Sequence, residues 1–118
     1  MAKPSPPPAL QAATKILAAR NLHQCLWLSH LETHERLRVT FSTTSNFQDQ
    51  KLPVALFCGP MFGTRYLVLQ FDKLANESGV RMLCVDRPGF GGSTQVALER
   101  RMEIWLEMVP ALLQRTFR

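Results

Sequence analysis

Residues 52–94 constrain this chain more than any other stretch. They read as strand, glycine-bearing turn, helix, strand and second glycine turn. Pro53-Val54-Ala55-Leu56-Phe57-Cys58 is a short apolar run with strand propensity, and Gly59-Pro60-Met61-Phe62-Gly63 breaks it. A helix is expected from Thr64, a candidate N-cap, to Ser78, with Gly79 suited to the left-handed position that ends it. Val80-Arg81-Met82-Leu83-Cys84-Val85 then reads as a strand apolar on both faces, as a buried parallel strand must be. Asp86-Arg87-Pro88-Gly89-Phe90-Gly91-Gly92-Ser93-Thr94 leaves its carboxyl end. Strand, helix and strand of this length form a βαβ unit, which requires a parallel pair with both faces covered.

The helices are placed by apolar spacing. In the central helix, Leu67, Phe71, Leu74, Ala75 and Ser78 define the expected core face. A last helix is expected over residues 98–117, with Leu98, Met102, Trp105, Val109 and Leu112 buried and a kink at Pro110. Arg100 and Arg101 sit among Glu99, Glu103 and Glu107, which reads as a solvated face.

Upstream, Cys25-Leu26-Trp27-Leu28 and Leu37-Arg38-Val39-Thr40-Phe41 read as two antiparallel strands, joined by a polar connection containing His30 and His34. A period of two puts Leu37, Val39 and Phe41 on the core face. The resulting division is a Pro-rich, disordered tail over residues 1–8, a helix over 9–21 and one α/β unit over 22–118.

Composition narrows the function. The net charge is +5, but the positive residues are scattered and form no basic patch, so nucleic acid is not an expected partner. No run of eighteen apolar residues occurs, so no membrane span is expected. Cys25, Cys58 and Cys84 are odd in number and far apart. Cys58 and Cys84 fall in expected buried strands, which suits free thiols in a reducing compartment. His30, His34 and Cys25 lack a fourth ligand and lie on strand and turn, so no metal or other cofactor is expected. A cytoplasmic location follows by default. The acid-free stretch before Glu32, carrying Lys3, Lys15 and Arg20, leaves a mitochondrial targeting segment as the alternative.

The turn at Asp86, Arg87, Pro88, Gly89, Gly91 and Ser93 resembles the Asp-x-x-Gly-x-Gly-x-Ser turn that follows the fourth strand of α/β hydrolases of the AB hydrolase-1 type. The turn Gly59-Pro60-Met61-Phe62 is similar in place to that family's oxyanion turn. The resemblance covers residues 24–117, the amino-terminal part of such a fold. It implies an incomplete α/β-hydrolase-type sheet, with strands in the order first, second, fourth, third. It also implies hydrolysis of an ester, amide or related bond, with Gly59, Met61 and Phe62 as candidate oxyanion donors. Two residues depart from the pattern: Cys58 replaces the usual His, and Pro60 has no N–H to donate.

Asp86 and Ser93 are read as turn residues that accept backbone N–H groups. Arg87 is read as a surface-pair residue for Asp86 or Asp72, with a substrate anion as the alternative. The chain holds no Gly-x-Ser-x-Gly elbow, and so no acid and His that follow one to complete the order Ser, acid, His. The expectation is therefore a hydrolase scaffold without catalytic residues of its own, inactive as given, that meets a small-molecule substrate only in company with a carboxyl-terminal part. Self-association through the edge strand Val54–Cys58 is expected. Two alternatives stand beside it: a non-catalytic, partner-binding α/β domain, and a Rossmann-type nucleotide binder, whose Gly-x-Gly-x-x-Gly spacing the turn at Gly59 does not meet.

Overall fold

The computed structural model describes residues 4–58 and 63–117. Helix α1, Pro8–Leu17, opens the described chain with proline at its first turn and buries none of its residues. A 3-10 turn at Arg20–Leu22 then inserts Leu22 into the interior. Strands β1, Gln24–Ser29, and β2, Arg36–Thr43, pair antiparallel with Leu26 opposite Val39 and Leu28 opposite Leu37. Leu37, Val39 and Phe41 are buried, as their alternation requires.

Strand β3, Val54–Phe57, and β4, Arg81–Val85, pair parallel with Leu56 opposite Leu83. β4 also pairs antiparallel with β2, so the sheet order is β1-β2-β4-β3. The sheet is mixed, with the expected order first, second, fourth, third, and β3 lies at its edge among the described strands.

Successive residues of β4 point to opposite faces, and each face has its own cluster. Leu83 and Val85 join Leu37, Val39, Ile104, Met108 and Leu112 under α3, Arg101–Thr116. Cys84 joins Leu22 and Val68 under α2, Val68–Ser78.

Both helices keep part of the expected face, Ala75 in α2 and Leu112 in α3, and are rotated from the rest of it. In α2 the buried residues are Val68 and Ala75, while Leu74 is 59% exposed. In α3 they are Ile104, Met108 and Leu112, while Met102, and Leu98 just before the helix, are exposed. The reason is shared. Each helix carries two apolar stripes about one residue apart, and periodicity alone cannot choose between them. The sheet takes the stripe whose side chains reach Leu83 or Cys84.

The expected capping also differs. Thr64 makes no side-chain cap, and the helix is entered through a 3-10 turn, Arg65–Leu67. The first N–H of that turn is already taken, because Arg65 N donates to Asp86 Oδ1 at 2.7 Å. Gly79 does end α2 in the left-handed conformation. Pro110 lies inside α3 on its exposed side.

The charged face of α3 is less solvated than expected. Glu107 accepts the Glu32 and Thr33 backbone N–H groups, both at 3.0 Å, and the Thr33 hydroxyl at 2.7 Å. The Thr33 hydroxyl and N–H hold its carboxyl below the ordinary glutamate range. Arg100 donates to Thr33 O at 2.7 Å, so Glu107 of α3 and Arg100 just before it clasp the β1–β2 connection. Arg81, also unforeseen, is buried at the start of β4 and donates to Leu52 O and Phe47 O.

Candidate active-site cleft

The carboxyl ends of β3 and β4 and the start of α3 frame the candidate site. In open α/β sheets this end of the strands is where loops gather over a crevice. Residues 86–94 form the main loop here, and Asp86 organises it. Asp86 is fully buried, and its carboxylate accepts from Thr40 Oγ1 at 2.6 Å, Arg65 Nη1 at 2.7 Å and Arg65 N at 2.7 Å. Gly92 N adds a longer contact at 3.5 Å. One carboxylate thus ties β2, the entrance of α2 and the end of β4 together. A buried carboxylate needs such donors, since an unpaired one costs several kcal/mol.

The loop is closed from within. Ser93 Oγ donates to Asp86 O at 2.6 Å and accepts from Thr40 N at 3.1 Å. Gly89 N donates to Thr94 O, and Thr94 N to Arg38 O, both at 2.9 Å. Gly91 has φ 52°, and a Cβ there would collide with the Asp86 carboxylate. Gly89 has φ 87°, and a Cβ there would lie 2.8 Å from the Arg101 guanidinium. Both positions therefore favour glycine by conformation, and Gly91 also by space, since the carboxylate beside it is buried and held.

Beside the loop is a cleft of about 290 Å³ lined by Cys58, Arg87, Pro88, Phe90, Arg101, Met102 and Trp105. Its volume is at the low end for small-molecule pockets. Pro88 is fully buried and forms its floor. The Arg87 and Arg101 guanidinium carbons lie 4.7 and 5.2 Å from the centre of the Phe90 ring.

Asp86 and Ser93 hold the turn, as their residue types suggest. Asp86 pairs with Arg65, which the sequence did not single out. Asp72 instead accepts Ser45 N and Oγ. The oxyanion candidates Gly59, Met61 and Phe62 lie outside the described residues. Cys58, expected in a buried strand, is exposed just past β3. Cys84 is buried, and burial, with the Asp86 charge second, pushes its thiol up to about 11. Arg101 and Trp105 were missed as cleft residues. The only hint of them in the sequence is that the helix following the glycine turn must start at the turn's own end of the sheet.

No protein-family model and no curated protein matches this chain. Solved structures do. A provisionally named hydrolase from Agrobacterium vitis S4 aligns with TM-score 0.60 and 21% identity over 80% of this chain. A probable hydrolytic enzyme from Pseudomonas aeruginosa PAO1 aligns with TM-score 0.57 and 20% identity, also over 80%. The fold is shared with hydrolases. A thermophilic esterase from Thermogutta terrifontis, solved with malate bound, aligns with TM-score 0.50 and 24% identity over 75% of this chain. At these identities the likeness is one of fold. The chain spans about a third of each neighbour: 36%, 30% and 32% of their lengths. No helix of the described residues is long and apolar enough to cross a membrane.

Proposed function

We propose that this chain supplies the amino-terminal scaffold of an α/β hydrolase acting on an ester, amide or related bond. In this reading the cleft at the carboxyl ends of β3 and β4 is a small-molecule site, and the chain as it stands does not hydrolyse esters. The observation that carries the reading is the sheet order β1-β2-β4-β3, in a fold shared with hydrolases, with the Asp86 turn at the strand ends. Inactivity of the chain alone rests on its missing Gly-x-Ser-x-Gly elbow and on Ser93. That serine is 3% exposed and its hydroxyl is committed to Asp86 O and Thr40 N, so it is not poised as a nucleophile. A Rossmann-type reading is less well supported, because β4 has an antiparallel neighbour on one side where a doubly wound domain would carry a parallel strand. The purified chain should turn over no p-nitrophenyl ester and take up no fluorophosphonate label. Stoichiometric labelling of a serine, lost in Ser93→Ala, would overturn the reading.

A second reading is favoured by one observation. β3 pairs only with β4 among the described strands, so its other side offers a ladder of backbone groups to a further strand. As a non-catalytic domain, the chain would use this edge to bind a partner strand or a second copy of itself.

A further inference from the structure

We propose that the cleft beside Phe90 selects ligands with a carboxylate head and an apolar tail, and that Arg101 is the residue that reads the head. This rests on the reading of the cleft as a small-molecule site and adds the class of ligand it takes.

Arg101 is the first residue of α3, and its guanidinium is held in place rather than left to sweep solvent. A Cβ built on Gly89 would lie 2.8 Å from Cζ, Nε and Nη2 alike. Equal distances to three atoms of one plane put Gly89 over the guanidinium face. Phe90 packs beside it, with the ring centre 5.2 Å from Cζ. Packing by the face leaves the in-plane Nη donors, where an arginine makes its hydrogen bonds, clear of Gly89 and Phe90. Arg101 Nε is buried with no hydrogen-bond partner among the described residues. Buried donors are nearly always paired, and each one left unmade is costly.

The nearby carboxylates do not answer this need. Glu103 pairs with Arg100 at 2.9 Å. Glu107 is engaged by Glu32 and Thr33. Asp86 is held by Arg65 and Thr40. Among the described lining residues of the cleft there is no Asp or Glu, so nothing there competes for or repels an anion. An arriving carboxylate can take two parallel N–H bonds from a guanidinium, the strongest class of such contact. Beside Cys58 and Arg87, the described wall is Pro88, Phe90, Met102 and Trp105, which offer a tail apolar and aromatic surface. A small carboxylate with an aliphatic or aromatic body matches both ends of the cleft.

The test compares hexanoate with 1-hexanol on the full chain, read from the Trp105 indole N–H by NMR titration. Hexanoate is expected to bind at least tenfold more tightly, and Arg101→Gln to abolish that preference while changing 1-hexanol binding less than twofold. The wild-type comparison does not depend on the variant folding. If the two ligands shift Trp105 with equal affinity, or Arg101→Gln keeps the preference, the carboxylate assignment is overturned and the small-molecule cleft stands. If neither ligand shifts Trp105 at millimolar concentration, the cleft reading falls as well.

Discussion

Asp86 is the residue on which the described polar network converges, and removing it should be expensive. Asp86→Ala would leave Arg65 facing a buried site with its charge unpaired and Thr40 without its acceptor. A loss on the order of 3–5 kcal/mol is expected, as for breaking other buried pairs. Urea unfolding checks it, and a loss under about 1 kcal/mol would show the network to be dispensable. Cys84 gives a pH-dependent companion. Its folded-state value of about 11 lies above the ordinary 9.0, so its contribution is complete below pH 9 and is lost as pH rises towards 11. The stability gap between wild type and Cys84→Ala should therefore narrow over that window, by on the order of 1–3 kcal/mol. A constant gap from pH 8 to 11 would contradict it. The turn role of Asp86 was legible because a short carboxylate before Pro-Gly has few other uses. Its partner was not, since nothing local links Arg65 to a residue 21 positions away.

At the scale of the element, type and order were legible and rotation was not. Alternation in β2 identifies its core face without ambiguity, because period two offers only two choices and one of them is charged. The helices offer several apolar choices. Met102 and Leu106 of α3, and Leu98 just before it, are exposed, while Ile104, Met108 and Leu112 are buried. Met108→Ala should cost roughly 2–5 kcal/mol, the usual range for a fully buried methionine. Leu74→Ala, on the exposed side of α2, should stay within about 0.5 kcal/mol. Paired urea midpoints decide the matter, and a reversal of the two would restore the register that spacing alone suggests. Glu107 and Arg101 teach the same lesson in charge. A mixed-sign helix looks solvated until one knows which loop and which cleft it faces.

For the whole molecule, the outstanding feature is the side of β3 that no described strand pairs with. Lys51 and Pro53 stand only before its first residue, and Ala55 is its exposed position. The chain is expected to self-associate in light scattering coupled to size exclusion, and Ala55→Lys to shift it towards monomer, since charge blocks edge pairing. A wild-type monomer at high concentration, with slow amide exchange at Leu56, would mean that the edge is covered. The sheet order was readable from the resemblance, whereas what lies against β3 depends on residues beyond the described strands. The position of β4 has one further consequence, in time rather than space. β4 sits between two strands that both precede it, and Asp86 meets Thr40 across 46 positions of sequence. On a ribosome, the β1–β2 hairpin can close as soon as it emerges, but the centre of the sheet stays vacant until residue 85 is out. Those long loops must be closed before their contacts repay the entropy, so assembly belongs to the slower, high-contact-order class of small domains. During that interval β2 and β3 wait with their inner edges open, and a nascent chain of this design depends on β4 arriving before another strand does.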